Sequence, residues 1–182
     1  MKYLVLFISF FLTVFTLKAQ IENGNWLVGG DLNFSHRSNM VKPLSMGLET
    51  RTNITLNSEA GYFFFNKFVA GIITSLEYGN VPSLHGWVLD FGGGPFIRYY
   101  FLNPEKMWNL LTEINYVHTI RYANGRYNSR SERYSILGGP VIFLNTSIGL
   151  SITFGYSQTH VPGNSGKIYT ITSGIGFQYY FQ

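Results

Sequence analysis

In a chain of 182 residues only 12% are charged, about half the share of an ordinary water-facing domain, while 18% are aromatic and glycine fills 20 positions. The length suits one domain, the thin charge excludes an ordinary soluble surface, and the absence of cysteine excludes disulfides, thiolate metal sites and a cysteine-linked lipid anchor. Thirteen Lys and Arg against nine Asp and Glu give +4, and setting aside Lys2 and Lys18 with the leader leaves 11 against 9, so no basic footprint for nucleic acid remains.

The chain opens with MKYLVLFISFFLTVFTLKAQ, in which Lys2 precedes an apolar stretch over 3–17 and the small Ala19 follows. About 15 apolar residues fall short of the ~20 that a spanning helix needs. The pattern predicts a secretory signal peptide over 1–19 and a single β-barrel domain over 20–182.

After the leader, eight stretches alternate with period two, and none reads as a helix. In the first, Trp26, Val28, Leu32 and Phe34 oppose Gly29, Asp31, Asn33 and Ser35. In the second, Ile54, Leu56, Ala60, Tyr62 and Phe64 oppose Asn53, Thr55, Asn57, Glu59 and Gly61. The third sets Phe68, Ala70, Ile72, Leu76 and Tyr78 against Gly71, Ser75 and Glu77, with Val69 and Ile73 as exceptions. The fourth sets Trp87, Leu89, Phe91, Pro95, Ile97, Tyr99 and Phe101 against Asp90, Gly92, Gly94 and Arg98. The fifth opposes Trp108, Leu110, Ile114, Tyr116 and Ile120 to Asn109, Glu113, Asn115, Thr119 and Arg121. The sixth, RYSILGGPVIFL, is the least regular. In the seventh and eighth, Ile148 to Tyr156 and Tyr169 to Phe181 alternate with Gly, Ser, Thr, Gln178 and Tyr180.

Alternation is the same whichever face is wet, so composition has to choose between a soluble and a membrane barrel. The polar face carries mostly Gly, Ser, Thr and Asn rather than long charged side chains, which fits a crowded lumen. The other face is aliphatic in its middle and aromatic near its ends, as a lipid-facing band with interfacial girdles is. Connections alternate between short turns at 66–67, 103–106 and 145–146 and longer polar loops at 37–49, 80–86, 122–133 and 158–167. Short periplasmic turns and long outer loops predict that both termini are periplasmic. The even-numbered stretches also share an ending, FFFN, YFLN and IFLN, two of them after a Gly-Gly-Pro at Gly93 and Gly138, and GFQYYFQ closes the chain as a fourth copy.

On these features the sequence resembles the small eight-stranded outer-membrane β-barrels, the OmpA/OmpX-like class. The resemblance implies an all-β, antiparallel, up-and-down transmembrane barrel in the bacterial outer membrane. Phe177, Tyr179 and Phe181 resemble the terminal-strand signal that barrel-assembly machinery reads. The implied partners are that machinery, outer-membrane lipids and lipopolysaccharide, for a monomeric protein without cofactor or metal.

An eight-stranded barrel is filled by its own side chains, so Asp31, Glu59, Glu77, Asp90 and Glu113 are expected in a lumen network with Arg98 and Arg121. Arg98 and Glu113 lie about equally far from the turn near Pro104, which predicts a cross-strand ion pair. Glu77 and Asp90 are placed alike about the loop near Pro82, where they repel unless a cation or a shared proton intervenes. In RYANGRYNSRSERY, Arg121, Arg126, Arg130 and Arg133 alternate with tyrosines, a set able to clamp lipid phosphates or an acidic glycan. His36-Arg-Ser38-Asn39 is similar to the His-x-Ser-Asn motif of outer-membrane lipid A deacylases, which implies an esterase with His36, Ser38 and Glu49 as the nearest acid, although that family carries the motif late in the chain. His118 and His160 have no partners at ligand spacing. The expectation is a non-catalytic barrel serving envelope structure or surface interaction, with the esterase and the passage of small apolar molecules as alternatives.

Overall fold

The computed structural model describes residues 21–40, 48–81, 86–123, 126–162 and 167–182, with side chains placed for 21–34, 53–79, 87–122, 129–162 and 167–182. The proposed leader over 1–19 lies outside them. Eight strands follow in order: β1 (Trp26–Met40), β2 (Leu48–Phe65), β3 (Phe68–Val81), β4 (Gly86–Tyr100), β5 (Trp108–Ala123), β6 (Arg126–Phe143), β7 (Ile148–His160) and β8 (Lys167–Phe181). Each pairs antiparallel with the next, and β8 returns to β1 with Trp26 opposite Phe181 and Ser35 opposite Thr172. The result is a closed barrel, in which every strand has a partner on each side.

The alternation sorts side chains in the reverse of a soluble domain. Ile171 is 77% exposed and Ile72 65%, whereas Asn109 is 0% and Asn53 1% exposed. Apolar residues form the outer wall and Asn, Ser and Thr the interior. The third stretch's exceptions, Val69 and Ile73, fall on the inward parity and are buried.

The far ends of the strands differ from the expected loop boundaries. Pairing continues to Met40 opposite Leu48, to Val81 opposite Gly86, to Ala123 opposite Arg126 and to His160 opposite Lys167. Each segment expected as a loop is therefore paired strand in part, and the one at 122–133 for most of its length. Polar residues mark where a face meets water, but backbone pairing does not require an apolar face, so the ladder runs past the apolar band.

At the opposite end the turns are tight. Lys67 takes the left-handed conformation, with φ of 69°, that closes the β2–β3 hairpin. Asn145 accepts the N–H groups of Ser147 and Ile148 at 2.8 and 2.7 Å before β7. The two Gly-Gly-Pro copies interrupt one ladder each: Gly94 and Pro95 have no register partner on β5, nor Gly139 and Pro140 on β7. Proline has no N–H to give, and a Cβ at Gly94 or Gly139 would run into the carbonyl oxygen of Tyr116 or Ile152. The backbones thus touch where the hydrogen bonds lapse, and the wall stays closed.

Candidate functional site

The lumen is the place where this chain gathers its polar chemistry, and it is stacked in three layers. At the turn side four rings meet. Phe63 lies 6.1 Å from Tyr100 and 6.2 Å from Tyr180 between centroids, and Phe143 lies 5.7 Å from Tyr180. The Tyr100 hydroxyl reaches both the Tyr180 hydroxyl, at 3.1 Å, and Gln178 Oε1, at 3.0 Å. Ile21, fully buried in the same cluster, closes the layer from below, its carbonyl accepting the Lys67 N–H at 2.9 Å.

Each ring comes from one copy of the aromatic strand ending, FFFN, YYFLN, IFLN and QYYFQ. Where two aromatics stand side by side in a strand, one has to face inward. The alternation places Tyr180 on the polar face but does not show that the four inward rings converge, although adjacent aromatics in three of the endings, all but the Ile142-Phe143-Leu144 one, carry the signal.

Above the rings sits Arg98, directly opposite Glu113 in the β4–β5 ladder. Its Nε donates to Glu113 at 2.9 Å and its Nη2 donates to Glu113 and, at 2.5 Å, to Glu59 of β2. Both ends of the Arg98–Glu59 bridge are almost fully enclosed, at 5% and 2% side-chain exposure. The Phe96 ring lies 5.3 Å from the guanidinium carbon. Asn115 Nδ2 donates to the second Glu113 oxygen at 2.8 Å. Asp31 takes Asn57 Nδ2 at 2.8 Å as well as Asn33 Nδ2, and shares with Arg98, Glu59 and Glu113 the walls of a cavity of about 10 Å³. Two carboxylates thus bind one guanidinium and a third lines the same small cavity, so that the network ties β2, β4 and β5 together across the lumen.

The loop-side layer is wetter. Asp90 faces Arg121 across β4–β5 and accepts from its Nε at 2.7 Å and its Nη2 at 2.5 Å. Glu77 is directly opposite Asp90 in the β3–β4 ladder. Arg133 crosses from β6 to meet Glu77 at 3.3 Å and Ser75 Oγ at 2.9 Å. Each carboxylate of the juxtaposed pair therefore has its own arginine, in place of the cation or shared proton expected to separate them. Two cavities of about 40 Å³ each, sharing walls at Thr55, Arg133, Ser157 and Thr172, occupy this half. Such spaces hold water beside hydroxyl groups. Among the described residues no three His, Cys, Asp or Glu are placed to hold a metal.

The arginine set read from the third loop does not converge on one clamp. Arg121 and Arg133 are partly buried lumen residues bound to acids, while Arg130 is exposed on the outer wall opposite Ile120. The side chain of Arg126 is outside the described set. The continuing strand explains the split, because alternate residues go to opposite faces. For His36, Ser38 and Glu49 only the backbone is described: Ser38 pairs with Thr50 and Asn39 with Glu49, one step out of register for a shared site.

No family model matches the chain, and no curated protein matches it by sequence. Its structure is similar to that of Neisserial surface protein A, with TM-score 0.59 at 13% identity, covering 87% of this chain and 98% of that one. It is also similar to the outer membrane protein OprG from Pseudomonas aeruginosa, with TM-score 0.51 at 13% identity, covering 91% and 99%. The fold is that of the small outer-membrane β-barrels. At such identity the likeness speaks for architecture, and the activity has to be argued from this chain's own residues.

Proposed function

We propose that the protein is an integral outer-membrane barrel without catalytic activity, which serves envelope structure and presents a surface through the ends of its strands and loops. The observation that carries this reading is the inverted sorting of side chains. Leu32, Leu56, Ile97, Ile114, Ile136 and Ile152 are all exposed on the outer wall while Arg98, Glu59 and Glu113 are enclosed. Only a bilayer makes such a wall favourable, since exposed apolar area of this extent drives aggregation in water.

Aromatic residues flank the aliphatic band on both sides, Trp26, Phe65 and Trp108 near the turns and Tyr78, Trp87 and Tyr169 toward the loops. Both described chain ends lie on the turn side, which supports periplasmic termini, while the apolar leader and the alternating Phe177, Tyr179 and Phe181 are the sequence features that support export and insertion by barrel-assembly machinery. Closure of the sheet supports a monomer. The rings and the Arg98 network fill the lumen, which argues for a plugged barrel.

The expected result is retention in the membrane after an alkaline wash, a shift in gel mobility on boiling in detergent, and no steady conductance in planar bilayers. Extraction as a soluble monomer overturns the assignment of the two faces. For the esterase alternative, lipid A from cells expressing the protein or its Ser38→Ala form should show no acyl loss by mass spectrometry. For apolar passage, uptake by protein-containing liposomes should not exceed that of empty ones.

A further inference from the structure

The two histidines that sequence analysis left without partners acquire them from the register. His118 of β5 is directly opposite Glu132 of β6, Glu132 is opposite His160 of β7, and His160 is opposite Lys167 of β8. The four residues form one row around the outer wall, and His118 and Lys167 are exposed. Gly93 stands beside His118 on β4 and leaves that end of the row open.

The rows beneath give this one its depth. Ile114, Ile136, Tyr156 and Ile171 form a mainly aliphatic row across the same strands, β5 to β8. Tyr116, Tyr134, Gln158 and Tyr169 form the next, with Tyr116 and Tyr134 rings 5.0 Å apart and Tyr156 and Tyr169 rings 5.8 Å apart. The row of histidines comes third, and Arg130 lies one step further out, opposite Ile120. Aliphatic, then tyrosine, then basic is the order of a wall passing from hydrocarbon through the interface to charged headgroups.

Resting on the membrane reading above, we propose that His118 and Arg130 at one end of this row, and His160 and Lys167 at the other, bind the two phosphates of a diphosphorylated glycolipid of the lipid A type. Neighbouring strands lie about 4.8 Å apart, so His118 and Lys167, three strands apart, are separated by roughly 14 Å along the wall. That span suits an anion charged at both ends better than a single phosphate. Glu132 falls in the gap, where a carboxylate repels a third phosphate and accepts hydrogen bonds from sugar hydroxyls. Each basic group offers N–H donors to phosphate oxygens, the stronger class of hydrogen bond. The site lies outside the barrel, on the wall that faces lipid, and is separate from the lumen arginines.

Native mass spectrometry from mixed detergent micelles tests this with purified diphosphoryl, monophosphoryl and dephosphorylated lipid A, and with phosphatidylglycerol as a plain anionic lipid. The wild-type barrel should retain the diphosphoryl form about tenfold over the monophosphoryl form. The double variants His118→Gln/Arg130→Gln and His160→Gln/Lys167→Gln should each reduce retention to the monophosphoryl level, and Glu132→Gln should admit phosphatidylglycerol more readily. Boiling-dependent gel mobility identifies variants that fold, and only those are compared. Equal retention of the two phosphorylated forms, or no loss in either folded double variant, overturns the proposal while leaving the membrane reading intact. A wild-type barrel that fails to enter bilayers overturns the membrane reading itself.

Discussion

The turn-side and loop-side halves of the lumen both carry ion pairs, yet they are built on different physical terms. Near the turns Arg98 is enclosed, bound by Glu59 and Glu113, backed by the Phe96 ring and floored by Tyr100 and Tyr180. Toward the loops Arg121 and Arg133 keep 26% and 19% of their side-chain surface, beside cavities lined with Ser and Thr. A charge sealed from water depends on its partners for all its compensation, whereas one beside water loses less when a partner goes. One pattern of alternating residues therefore makes both a rigid floor and a wet vestibule, according to what surrounds each arginine.

The largest expected effect comes from breaking the floor. Arg98→Met leaves Glu59 and Glu113 enclosed without their cation, and should cost about 3–5 kcal/mol in urea unfolding from a bilayer. Replacing all three residues with Met and Leu should recover much of that loss, since an apolar core of similar volume is often as stable as a buried ion cluster. If the triple variant is no better than the single one, the network is needed for something other than charge balance. Next in size is Tyr180→Ala, which removes the ring that touches Phe63, Tyr100 and Phe143 and leaves the Tyr100 hydroxyl with Gln178 as its remaining partner. A loss of about 3–4 kcal/mol is expected, with no steady current in planar bilayers because the Arg98 layer still blocks the path. A stable pore in this variant would show that the rings alone make the seal.

Across the vestibule the effects shrink. Arg133→Gln gives up a 3.3 Å contact to Glu77 and a bond to Ser75, beside a cavity able to hydrate the carboxylate. The expected cost is about 1 kcal/mol by the same unfolding measurement. A cost as large as that of Arg98→Met would erase the distinction between the halves.

How far the sequence could be read follows the same line. The strands and their two faces were legible because a bilayer and a crowded lumen impose opposite compositions on alternate positions, as Leu32 and Asn33 or Ile114 and Glu113 show. The Arg98 to Glu113 distance was approachable too, because both residues count back from one short turn. What could not be counted from a turn were partners across the barrel: Arg133 with Glu77, Arg98 with Glu59, and Tyr100 with Tyr180. Those depend on the tilt and stagger of the closed sheet, which no local pattern records. The same limit hid the row from His118 to Lys167, whose members are far apart in the chain and adjacent only through three successive registers.

The smallest effect should be the coupling between the halves. Arg98 pairs with Glu113, and Glu113 pairs with Leu137 of β6, four residues from Arg133 along the same strand. At about 3.3 Å per residue the two arginine layers are roughly 13 Å apart along that strand. They share no bonded partner: Arg98 holds Glu59 and Glu113, and Arg133 holds Ser75 and Glu77. Substitutions that far apart without common partners usually add to within about 0.5 kcal/mol. A double-mutant cycle of Arg98→Met and Arg133→Gln, measured by urea unfolding, should therefore close to that margin. Coupling of 1 kcal/mol or more would mean that strain in the floor reaches the vestibule through the strands, and the lumen would then have to be treated as one network.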